Sequence, residues 1–183
     1  MRLFIECSTS VAVVAIETSE KTTVHQQANQ KLHSKYMLSM IDSLLREVQV
    51  TPQMLTSIVV GEGPGSYTGA RIAVTIAKML ALQLHIPLFA FDSLSLFATN
   101  ESHCAVQLLL KRETVLGGVY DLYQGQIIHA PTYYTQAEWD KLTKGISRIE
   151  PHEQEVDLSR LILKRVDDIS SFSPNYAREW QPT

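Results

Sequence analysis

Residues 61–71, GEGPGSYTGAR, restrict the fold of this chain more than any other segment. Half of the eight glycines in the 183 residues fall here, together with a proline, between an apolar run at 57–60 and an apolar stretch of helical period at 68–85. A strand that feeds a glycine-rich turn and then a helix presents backbone N–H groups at the helix N-terminus, where an anion is favoured. Thr68 reads as the helix cap, and Pro87 marks where the helix must have stopped. Two nucleotide motifs do not fit. A Walker A loop ends Gly-Lys-Ser/Thr, whereas Gly69 is followed by Ala70-Arg71. A dinucleotide fingerprint is spaced GxGxxG, whereas Gly61, Gly63 and Gly65 are spaced GxGxG around Pro64. Gly63, Pro64, Gly65, Ser66, Thr68, Gly69 and Arg71 therefore read as a tight structural turn or as an anion seat, and both readings stay open at this level.

The flanking sequence reads as α/β. Short apolar runs at 3–7 and 11–16, then a charged turn and a third short strand at 22–27, suit an antiparallel meander, followed by a helix at 34–48 and a helical turn at Thr51-Pro52. After the glycine segment come a strand at 88–91 and a helix opened by Asp92-Ser93. Strands at 105–110, 115–122 and 126–129 follow, with Gly125 in the hairpin turn, then short helices at 136–142 and 157–166 and an irregular end. The expected division is a lobe at 1–100 and a smaller one at 101–183.

Hydrophobic residues make up 45% of the chain and charged residues 19%, which suits a packed core. The net charge of −3 lacks the positive field of a protein that grips RNA unaided. Cys7 and Cys104 sit in strand-like apolar runs without metal spacing, so buried free thiols in a reducing compartment are expected. Glu6 comes too early for a secretory leader and no run reaches membrane-spanning length. The chain reads as cytoplasmic, with no membrane association.

Residues 60–94 closely resemble the TsaB (YeaZ) family, whose GxGPGSFTGxRIG loop precedes an apolar helix, a Pro-led strand and a Ser-Leu pair. The similarity extends to MRLFIECSTSVAVVAI at 1–16, His33-Ser34, Gly118-Val119-Tyr120 and the run from Ser173 through Tyr176 to Arg178. It covers the first 95 residues well and the remainder by scattered motifs. It implies an actin-like (ASKHA, ribonuclease H-like) fold of mixed sheets with flanking helices, the second lobe shortened by several tens of residues. It also implies a scaffold that partners a TsaD-like catalytic subunit and a TsaE-like ATPase, and forms a homodimer when alone. That machinery moves a threonylcarbamoyl group from its adenylate onto adenine beside the anticodon, so tRNA would be met only through the complex. No cofactor is required, and ATP or ADP is the nucleotide that an inter-lobe pocket would take.

Catalytic arrangements are missing from the sequence. The paralogous catalytic subunit holds metal with an HxxxH pair, where this chain has His33 and then Met37; one imidazole cannot hold a catalytic metal. Ser66 in Gly-Ser-Tyr-Thr-Gly misses the spacing of a nucleophile elbow. Glu6 stands where the actin-like fold has Asp, and the region of the second carboxylate reads Lys111-Arg112-Glu113. No catalytic residue and no metal ligand is expected. Two other readings stand beside the scaffold: an actin-like nucleotidase or phosphotransferase on a small molecule, and a divergent homodimeric regulator.

On the helix at 68–85, Ile72, Ile76, Met79, Leu80 and four alanine or leucine neighbours span more than half the circumference. One sheet face needs about 100°. The surplus is covered either by the helix at 34–48, through Met37, Met40, Ile41, Leu44 and Leu45, or by a partner. With the family resemblance, Met37, Ile41, Leu45, Ile72, Ile76 and Met79 are the expected partner interface.

Overall fold

The computed structural model describes residues 1–28, 34–98, 103–151, 156 and 158–177. The chain begins with an antiparallel meander, β1 (Arg2–Glu6), β2 (Val11–Glu17) and β3 (Thr22–Ala28), followed by α1 (Ser34–Glu47). A 3-10 turn at Pro52–Met54 leads to β4 (Ser57–Gly61), α2 (Tyr67–Leu84) and β5 (Leu88–Phe91). A second 3-10 turn, Ser93–Phe97, is capped by the Asp92 side chain, which accepts from Leu94 N. Then come β6 (Cys104–Leu109), β7 (Thr114–Asp121), β8 (Gln126–Thr135), α3 (Gln136–Leu142), β9 (Ser147–Ile149) and β10 (Lys164–Arg165).

The first sheet has strand order β10-β5-β4-β1-β2-β3, with β1, β4 and β5 parallel and the rest antiparallel. The second has order β8-β7-β6-β9. Successive side chains of a strand point to opposite faces, so each apolar strand of the first sheet feeds two cores. Leu3, Ile5, Ile16, Ile58 and Val60 pack under α1 and α2 with Met37, Leu44 and Ala77. Phe4, Val13, Ala15, Val59 and Phe91 pack on Val106, Leu116 and Tyr120 of the second sheet. On that sheet's outer face, Trp139 of α3 lies over Ala105, Val115 and Val119. The layers run helices, sheet, sheet, helix. Among the described residues, no helix is long and apolar enough to cross a membrane.

Several local expectations are corrected. Ser66, not Thr68, caps α2, its hydroxyl accepting from Gly69 N, because the helix starts one residue earlier than its apolar period shows. The helix ends with His85 in the left-handed conformation, its N–H donating to Ala81 and Leu82. The described part of the helix expected at 157–166 is not helical. Lys164–Arg165 instead pairs antiparallel with Phe89 and Ala90, because β5 still had an open edge. Residues 164–177, placed by sequence in the second lobe, therefore return to the first sheet, where Val166, Ile169 and Phe172 join the core under α2. β9 is a short strand that the sequence did not signal.

Candidate functional site

The glycine loop is built around a buried carboxylate. Glu6, at the C-terminal end of β1, is 1% exposed. Its Oε1 accepts from Ser8 N at 2.5 Å, Ser8 Oγ at 2.7 Å and Thr9 N at 3.2 Å, and its Oε2 accepts from Ser93 Oγ at 2.6 Å. Burial pushes its pKa above the ordinary carboxylate value, while the serine and threonine donors pull it down. Ser93 also ties in the loop: its Oγ accepts from Gly63 N at 2.9 Å, and its N–H donates to Gly63 O at 2.9 Å.

The glycines let backbones touch. A Cβ on Gly65 would lie 2.2 Å from Ser8 O, and one on Gly69 would lie 2.0 Å from Cys7 O. Ser66 N donates to Ser8 O at 2.5 Å, and the Cys7 thiol donates to Gly69 O at 3.0 Å. Gly63 has φ +100° and faces Asn175 O, whose own N–H donates to Glu62 O at 2.7 Å. The loop thus packs between the β1–β2 turn and the strap at 164–177. Both cysteines are buried, and burial, with the Glu6 charge second, pushes the Cys7 thiol far up.

Beside the loop, Asp92 accepts from Tyr120 OH at 2.9 Å, a bond that joins the two sheets. Burial raises its carboxyl to about 7, against its hydrogen bonds from Tyr120 and Leu94. Glu62 is also raised by burial, with Lys164 lowering it. Among the described residues, no group of three or more His, Cys, Asp or Glu is placed to hold a metal. His33 lies outside the described residues.

A groove of about 550 Å³ runs along the exposed side of α2, lined by Leu38 of α1 and by Tyr67, Arg71, Ile72, Met79 and Leu80 among others. Met79 is 64% exposed, Tyr67 57% and Leu38 50%. At its loop end Tyr67 stacks on Tyr176 with centroids 4.7 Å apart, and Arg71 Nη1 donates to Tyr67 OH at 2.8 Å. Lys78 Nζ ties the strap to the helix by donating to Ser170 O at 2.8 Å and Phe172 O at 2.7 Å.

Of the six residues expected at an interface, only Ile72 and Met79 reach the surface. Met37, Ile41, Leu45 and Ile76 are at most 9% exposed and pack in the protomer's own core, Ile76 also reaching the floor of the groove. The reason is that α1 lies against α2 and the sheet together, so its methionine and leucine stripe is consumed internally. Leu38, Tyr67 and Leu80 take their place along the groove. Leu38 sits off the α1 stripe, and that isolation on a polar face was its only sequence signal.

The architecture is an actin-like fold of mixed sheets with flanking helices. Residues 12–112 match the family model described as TsaD, tRNA N6-adenosine threonylcarbamoyltransferase. The TsaB protein of Bacillus subtilis is 40% identical over 97 residues, which are 53% of this chain and 39% of that one. That of Haemophilus influenzae is 31% identical over 121 residues, 64% of this chain and 51% of the other. Both carry the name tRNA threonylcarbamoyladenosine biosynthesis protein TsaB. YeaZ from Pseudomonas aeruginosa superposes with a TM-score of 0.65 at 28% identity, covering 73% of this chain and 65% of that one. The chain belongs to the TsaB/YeaZ family. The matched region spans two fifths to three fifths of the length of the curated relatives.

Proposed function

We propose that this chain is a non-catalytic subunit of tRNA threonylcarbamoyladenosine biosynthesis, which docks a TsaD-like catalytic subunit on the groove along α2. The observation that carries this reading is the exposed apolar strip from Tyr67 to Met79, flanked by Leu38. A specific interface needs a buried apolar centre with a few dominant residues, and this strip provides one on a rigid helix. The relatives' names supply the pathway. In the cytoplasm the groove takes a second copy of this chain when the paralogue is absent. A TsaE-like ATPase joins the pair, and tRNA is reached through the complex, in keeping with the net charge of −3. The chain requires no cofactor.

The test is capture of the TsaD-like subunit by immobilised protein, wild type against Met79→Glu. Retention by wild type and loss by the variant are expected. Equal capture by both would move the docking surface elsewhere, and no capture by wild type would remove the reading.

A further inference from the structure

Among the described residues the two sheets have four open edges, and three of them are guarded. β10 is two residues long and both are basic, Lys164 and Arg165. β9 is three residues long with Arg148 at its centre. β8 carries Pro131 and pairs with a break in register between Gly117 and Val119. Short length, basic side chains, proline and bulges keep a sheet from pairing with foreign strands. β3 has none of them. Its seven residues include no Lys, Arg, Asp, Glu or Pro, and all pair with β2 in unbroken register. Its outer side therefore offers a row of backbone N–H and C=O groups about 23 Å long.

That edge borders a groove of about 560 Å³ whose other wall is α1. His25 and Gln27 share the α1 face of the sheet with Val14 and Ala12, their cross-strand partners. Tyr36, Ser39, Met40 and Ser43 of α1 stand opposite. No lysine, arginine or carboxylate is among the described lining residues, and His25 is engaged by Glu47 at 2.6 Å. On the other face of β3, Gln26 Oε1 is buried without a hydrogen-bond partner among the described residues. A strand laid along the edge sets a side chain across from Gln26, with Cβ atoms about 5 Å apart, close enough to bring it a donor.

We propose that the β3 edge and its groove bind an extended, uncharged polar peptide segment of a partner protein by strand addition. In that mode main-chain hydrogen bonds give affinity and alternate side chains give specificity. One set of side chains enters the groove, where hydroxyls and methyls meet Ser39, Ser43 and Met40. The other set lies across from Gln26 and supplies its donor. A single strand fits this footprint, whereas one seven-residue edge falls well short of the roughly 800 Å² per partner of a stable dimer. A second copy would also present a His25 already held by its own Glu47. The site holds whatever the groove along α2 binds, because Leu38 borders that groove and Ser39 and Ser43 border this one.

The probe is a synthetic heptapeptide of alternating threonine and glutamine, acetylated and amidated, titrated into the isotope-labelled chain. The amide resonances of residues 22–28, Ser39 and Ser43 should shift saturably, while those along α2 stay in place. The same peptide N-methylated at alternate residues should bind at least about tenfold more weakly, which reads the main-chain contact without altering the protein. Ser43→Lys, an exposed change on α1, should weaken binding of the unmodified peptide by a similar factor at an unchanged melting temperature. Gln26→Met should weaken it as well. The idea is overturned if the β3 resonances do not respond up to millimolar peptide, if the N-methylated peptide binds equally well, or if the shifts fall on α2 instead. Self-association that shifts the same β3 resonances without peptide, and that Ser43→Lys abolishes, would give the edge to a second copy and equally overturn it.

Discussion

The Glu6 carboxylate occupies the place that a side chain on Gly61 would need: an added Cβ would lie 1.6 Å from Glu6 Oε2 and 2.7 Å from Ser93 Oγ. The last residue of β4 is glycine so that the last residue of β1 can be glutamate. Gly61→Ala should therefore force a four-donor buried carboxylate out of position, at a cost of about 3 kcal/mol. Gly125→Ala is the contrast, since nothing lies within 4 Å and only its φ of +65° resists, for about 1–2 kcal/mol. Urea midpoints of the two variants check the order.

Ile76 and Met79 sit one turn apart on α2 but in different environments, 5% and 64% exposed. Ile76→Glu puts an unpaired charge into the core and should abolish cooperative unfolding. Met79→Glu should leave the melting temperature within a few degrees of wild type. Circular dichroism melts of both decide this, and near-equal melting would mean that α2 packs differently.

Asp92 supplies a pH dependence whose sign follows from its raised pKa. The folded chain holds the proton more tightly than the unfolded chain, from an ordinary value of 3.8 to about 7. Its favourable contribution is present in full below pH 3.8 and is lost as pH rises to about 7. Glu6 and Glu62 are raised too and act in the same direction. Urea stability should thus fall between about pH 4 and 7 in wild type, and Asp92→Asn should show a shallower fall. A slope unchanged by that substitution would place the titration elsewhere.

The strap at 164–177 is fastened to α2 by Lys78, whose ammonium donates to two carbonyls. Lys78→Met keeps the stem and removes both bonds, each worth about 1.5–3 kcal/mol when a charge is involved. Hydrogen exchange at Val166 and Asn175, whose N–H groups donate to Leu88 and Glu62, should speed up by at least about tenfold while the β1–β4 ladder stays protected. Uniform acceleration across the sheet would show that the strap is part of the global folding unit.

What the sequence determined is local or periodic. The α/β class, the meander, α1, α2 and the hairpin at Gly125 follow from apolar spacing and turn residues, which act over a few positions. The glycine cluster marked the loop for the same reason. Only the tertiary structure decided which apolar faces α1 and α2 spend on each other, because a helical period shows that a stripe is buried and not by what. Hence Met37, Ile41 and Leu45 went to the core, Ile76 is shared between the core and the groove floor, and Leu38 and Met79 were left exposed on the groove. It also decided that Lys164–Arg165 is a strand, since a two-residue segment acquires its conformation from the open edge of β5. Likewise Glu6 ends β1, Gly61 ends β4 and Ser93 follows just after β5, far apart in the sequence. Their shared hydrogen-bond site exists because parallel pairing of β1, β4 and β5 brings those ends to one place.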